Sequence, residues 1–67
     1  MYRSTHVVPN HDGGWDVKHS NALRSSGHFD TKNEAIERAR VLCRNQGNEL
    51  VIHRKNGTIQ NKTSYQA

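Results

Sequence analysis

One stretch limits what this chain can become more than any other. It is Asp30-Thr31-Lys32-Asn33-Glu34, followed by an apolar stripe and ended by Gly47. Thr31 is placed to cap the orphan backbone N–H groups of a helix. Glu34, three residues on, can reach back as the other half of a capping box. Ala35, Ile36, Ala39, Leu42 and Cys43 then recur at helical spacing and give the helix one apolar face. Glu34 and Arg38 stand four apart as a supporting pair. Arg40 and Arg44 suit the negative end of the helix dipole, and Gly47 suits the left-handed position that ends a helix. One apolar face must be buried against another layer, and the rest of the chain reads as strands.

Thr5 to Pro9 is short, β-branched and apolar, as a strand requires. Asn10-His11-Asp12-Gly13-Gly14 is dense in turn-forming residues. From Trp15 to His19 the residues alternate, Trp15 and Val17 on one side, Asp16 and Lys18 on the other, which is a half-buried strand. Trp15 therefore reads as the anchor of a small core rather than a stacking platform, with either Val7 or Val8 beside it. Arg24 to Phe29 is a candidate short strand, with Phe29 inward. After the helix, Glu49 to Arg54 is a strand, and Asn56-Gly57 is a strong hairpin signal. A two-residue loop there pairs Lys55 with Thr58, Arg54 with Ile59 and Ile52 with Asn61, and it puts Leu50, Ile52 and Ile59 on one face. Residues 1–4 and 62–67 read as loose ends of a single domain spanning residues 1–67, with Tyr65 able to tuck against the sheet. The fold class is α+β: a single helix packed on a small antiparallel sheet of four or five strands.

A core built from 67 residues, 31% of them hydrophobic, is marginal, and folds this small usually need a staple. The lone Cys43 rules out an internal disulfide and suits a reduced, cytoplasmic setting. No apolar run approaches the roughly 20 residues of a membrane span, and MYRSTHVV lacks the apolar segment of a secretion signal. Ten Lys and Arg against six Asp and Glu leave a charge of +4, which favours encounter with polyanions.

HVVPN, GGWDVK, the T-K-x-E-A-I helix start, the A-R-x-L helix body, and E-L-V-I-H with a following N-G-x-I form a series. From about Thr5 to Tyr65 the chain resembles a family of small bacterial proteins known as domain of unknown function 2188. The resemblance implies a compact hairpin–helix–hairpin module and brings no activity, cofactor or catalytic residue with it. The chain departs from the family pattern in having Thr5 where an aromatic is usual and Cys43 where alanine is.

Histidines at positions 6, 11, 19, 28 and 53 invite a metal site, but none shows the close paired spacing of structural zinc ligands. Cys43 falls on the apolar helix face, where a free thiol behaves as a small hydrophobe. Gly13-Gly14 joins two strands and does not open a helix, so it is no phosphate loop. A chain this short has little room for a deep pocket. The expectation is a non-enzymatic module with no catalytic residues, metal, cofactor or small-molecule substrate.

The sheet face opposite the helix carries the functional expectation. The hairpin register puts Val51, His53, Lys55, Thr58, Gln60 and Lys62 there, and Lys18 joins them from the second strand. Lys18, His53, Lys55, Gln60 and Lys62 are the candidate nucleic-acid contacts, on a face that could follow a phosphate backbone. It lacks the exposed aromatic pair of sheet-type RNA binders. The alternative partner is protein: a homodimer, or a regulatory accessory, that covers Val51 or an unpaired strand edge.

Overall fold

In the computed structural model, residues 4–20 and 26–65 are described. The elements are β1 (Ser4–Pro9), β2 (Trp15–His19), β3 (Gly27–Phe29), α1 (Lys32–Gln46), β4 (Glu49–His53) and β5 (Ile59–Ser64). The five strands form one sheet in the order β3-β2-β1-β4-β5, and α1 packs across β1, β2, β3 and β4 on one face. The class is α+β, as expected. Of the candidate third strand, Gly27–Phe29 forms it, while residues 24 and 25 lie outside the described range.

The sheet is mixed, not antiparallel as the alternation suggested. β1 and β4 run parallel, with Val7 beside Ile52 and Thr5 beside Leu50. The cause is the path of the chain. β1, β2 and β3 alternate in direction, and α1 reverses the chain once more. β4 therefore runs the same way as β1, and it docks on the edge of β1 that β2 leaves open.

The helix ends follow the sequence. Thr31 Oγ1 accepts from the Glu34 backbone N–H at 3.2 Å, and the Glu34 carboxylate accepts from the Thr31 N–H at 3.3 Å. At the other end Gly47 is left-handed, with φ 66°, and its N–H bonds the Cys43 carbonyl. The helix lays Ala35, Ala39 and Cys43 on Val7, Val17, Leu50 and Ile52, and Trp15, Phe29, Ile36, Leu42 and Tyr65 ring that cluster. Val7, paired with Val17, is the inward valine, so Val8 points away. Thr5 is also fully buried, and its hydroxyl lies 3.1 Å from His19 Nδ1. Burial pushes the Cys43 thiol up from its ordinary range, against the opposing pull of hydrogen bonds with Thr5.

The β4–β5 hairpin departs from the two-residue loop. The Gly57 N–H bonds the Arg54 carbonyl at 2.8 Å, and the Arg54 N–H bonds the Thr58 carbonyl. The loop is therefore Lys55-Asn56-Gly57, with Gly57 at φ 92°, a three-residue solution that needs a residue at positive φ in its last position. Arg54 thus faces Thr58, and Ile59 pairs with His53. Gln60 is then an extra residue that restores Ile52 opposite Asn61. The bulge takes Ile59 out of the core, and it is 46% exposed. Lys62, Thr63 and Ser64 belong to β5, and Ser4 to β1, so these residues are not loose ends.

Candidate functional site

Alternation from the buried Val7 and Val17 turns their neighbours to the sheet face away from α1. The strand registers set Lys18, His6, Val51 and Lys62 side by side across β2, β1, β4 and β5. Lys18 and Lys62 sit on strands three spacings apart, roughly 14 Å. His53 lies on the same face, with its Nε2 2.9 Å from His6 Nδ1. Lys18, His53 and Lys62 thus come together as the sequence suggested.

Lys55 and Gln60 do not join them. Lys55 lies in the β4–β5 loop, on the rim of an open cleft lined by Pro9, Gly14, Trp15 and Asp30. Gln60, as the bulged residue, turns to the helix side, where its Oε1 accepts from Lys32 Nζ. The Lys32 ammonium also lies over the Trp15 ring, 4.8 Å from its centroid. Trp15 is half-buried against the core, between this cation and the cleft.

Val51 is not the bare apolar patch expected at the centre of this face. It is only 2% exposed, with His6 and Lys62 beside it in register. The face also carries acid. Asp16, with its side chain 13% exposed, accepts from His28 Nδ1 at 2.7 Å and from Asn10 Nδ2 at 3.0 Å. Glu49 pairs in register with Ser4 and Ser64.

Four groups on this face form a chain that sequence reasoning missed. Ser4 Oγ lies 2.9 Å from His6 Nε2, His6 Nδ1 lies 2.9 Å from His53 Nε2, and His53 Nδ1 lies 3.1 Å from the Gly57 carbonyl oxygen. Burial holds His6 below its ordinary pKa. His53 and Lys62 push the same way, and Glu49 opposes them. The i, i+2 spacing of Ser4 and His6 was readable. Their meeting with His53 depends on the parallel β1–β4 pairing, which no local pattern announces. Among the described residues, no group of three or more His, Cys, Asp or Glu is arranged to hold a metal ion. Nor is any helix among them long and apolar enough to cross a membrane.

Among the described residues the architecture defines a class: an α+β module with one helix and a mixed five-stranded sheet, one face covered by the helix and the other carrying Lys18, His6, His53 and Lys62 among Val8, Val51 and Ile59. Residues 5–65 match the family described as an uncharacterized protein conserved in bacteria, domain of unknown function 2188, and the chain belongs to that family. It is 42% identical over 62 residues to the uncharacterized protein YdaT of Bacillus subtilis (strain 168), a match that covers 92% of this chain. The chain spans about two fifths of that relative's length, 41%. No solved structure matches it.

Proposed function

We propose that the protein is a small, non-enzymatic cytoplasmic binding module that takes nucleic acid on the sheet face away from α1. The observation behind this reading is the row Lys18–His6–Val51–Lys62, which crosses four strands with a cation at each end. Asp16, two residues from Lys18 on the same strand, is taken up by hydrogen bonds from Asn10 and His28. The net charge of +4 adds long-range attraction for a polyanion. Lys55 extends the surface at its rim, and His53 supplies a polar contact within it. Gln60 lies off this row, with its amide oxygen accepting from Lys32 on the helix side.

Binding of mixed-sequence single-stranded oligonucleotide, measured by fluorescence anisotropy over a range of salt, tests this. With Lys18, Lys55 and Lys62 as phosphate contacts, log K should fall against log salt with a slope of roughly −2. Lys18→Glu with Lys62→Glu should abolish binding while the far-UV spectrum stays native. No binding at low salt would sink the proposal.

A homodimeric protein-interaction or regulatory role is the second reading. It draws on β5, an outer strand exposed along its length, although its Lys62 is the kind of residue that discourages edge pairing. Sedimentation at micromolar concentration that shows only monomer would remove it.

A further inference from the structure

The Gly57 carbonyl fixes where protons sit along the chain that starts at Ser4. A carbonyl oxygen only accepts, so His53 Nδ1, 3.1 Å away, must carry a proton. Neutral His53 then has a bare Nε2, and His6 Nδ1 must donate to it across 2.9 Å. Neutral His6 is in turn bare at Nε2, so the Ser4 hydroxyl must donate to it, also at 2.9 Å. The ring centroids are 5.2 Å apart, which is the N···N separation plus a ring radius at each end. The two nitrogens therefore face each other along one line. That suits a shared proton and not a metal ion, whose ligands would converge on a point off the line.

A serine hydroxyl donating to a bare imidazole nitrogen, with the far N–H of that ring held by a fixed acceptor, is the wiring of an activated nucleophile. We propose that Ser4 is such a nucleophile, with His6 as its base and His53 as the positioning residue, and that it accepts acyl groups from small activated esters. Ser4 Oγ attacks the carbonyl carbon while His6 Nε2 takes the hydroxyl proton. The Oγ–C bond forms, the ester C–O bond breaks, the leaving oxyanion departs, and the proton on His6 passes to it or to water. Nothing is oxidised or reduced. His53 keeps the His6 ring in the tautomer that exposes Nε2, and its lone pair accepts from the imidazolium that forms in passing. The charged groups around the pair are Glu49 beside Ser4, which favours the imidazolium, Lys62 in the row of His6, which disfavours it, and Lys18 at the other end of that row. His6 is held neutral near pH 7, as a base must be. The step does not depend on nucleic-acid binding, and because the acyl group stays on Ser4 without turnover the module remains non-enzymatic.

The test is to incubate the full chain with p-nitrophenyl acetate and map acetylated residues by mass spectrometry. Ser4 should be acetylated faster than the exposed Ser26 by roughly the 10²-fold of a modest general base. The rate should rise with pH through one titration below the ordinary histidine value. His6→Gln should reduce Ser4 acetylation to the level of Ser26. His53→Leu should reduce it too, whereas His53→Gln, whose amide oxygen can still accept from His6 Nδ1, should restore most of it. Acetylation of Ser4 no faster than Ser26 in the folded wild-type chain overturns the proposal, whether or not the variants fold. A rate unchanged in a folded His6→Gln variant overturns it as well.

Discussion

Replacing Gly14 by alanine should destabilise this protein far more than the same change at its neighbour Gly13. Both glycines have positive φ, 107° at Gly13 and 78° at Gly14. An L-residue in the left-handed region costs roughly 1–2 kcal/mol, and that strain is common to both. The difference lies in space. A Cβ at Gly13 meets nothing within 4 Å, while one at Gly14 would lie 2.6 Å from the Phe29 carbonyl oxygen and 2.8 Å from the His28 ring. The carbonyl is backbone, fixed by the pairing of Phe29 with Trp15, and His28 is tied to Asp16 at 2.7 Å. Neither can yield without disturbing the β2–β3 pairing, and overpacking of this kind costs about 1–3 kcal/mol. Gly14→Ala should therefore lose about 1–3 kcal/mol more than Gly13→Ala, a large part of the stability of so small a domain. Urea unfolding followed by the fluorescence of Trp15, the chain's single tryptophan, measures both midpoints. Equal midpoints for the two variants would refute the close approach of β3 to the turn.

Thr31→Ala removes one half of the capping box and should cost about 1 kcal/mol, read by urea denaturation; no loss would show the cap to be idle. Cys43, fully buried and with its thiol pushed up, should react with a thiol reagent such as DTNB only as fast as the domain opens, and adding urea should accelerate it to the free-thiol rate. The folded pKa of His6 lies below its ordinary 6.5, so between those two values the unfolded chain binds more protons. Stability is then full above about pH 6.5 and falls as pH drops toward the folded value. His6→Gln should flatten that part of a pH–stability curve, and a curve unchanged in the variant would contradict the burial of His6. Trp15→Ala, at a half-buried position against the core, should cost about 3 kcal/mol, the low end for large aromatic truncations; a variant as stable as the wild type would remove its role as anchor.

What the sequence discloses and what it hides divide along a physical line. The α1 boundaries, the Thr31–Glu34 box and the Gly47 stop rest on contacts within a few residues, and all are in the structure. Strand alternation likewise put Trp15 and Val17 on the core side, whereas Ile52 stands opposite Asn61 as the two-residue loop required only because the bulge makes up for the longer loop. The partner of β1 across the sheet is different. Val7 pairs with Ile52 through a parallel contact 45 residues distant in sequence, and nothing in either strand records its direction. Everything built on that pairing, the meeting of His6 with His53 above all, was hidden with it. The hairpin lies between these cases. Asn56-Gly57 marked the turn, but Gly57 serves a three-residue loop, and the compensating bulge moved Ile59 outward and Gln60 to the helix side. Val51 shows a further limit: alternation assigns a face, and only the neighbouring strands decide whether that face is bare.

On the proposed reading, nucleic acid docks on the sheet face away from α1. The most direct measurement is an NMR titration of the chain with a single-stranded oligonucleotide, following the backbone and imidazole resonances. Shifts concentrated at Lys18, His6, His53 and Lys62, with Arg38 and Arg44 of α1 unmoved, are the predicted result. Shifts confined to the helix, or none at low salt, would contradict the claim.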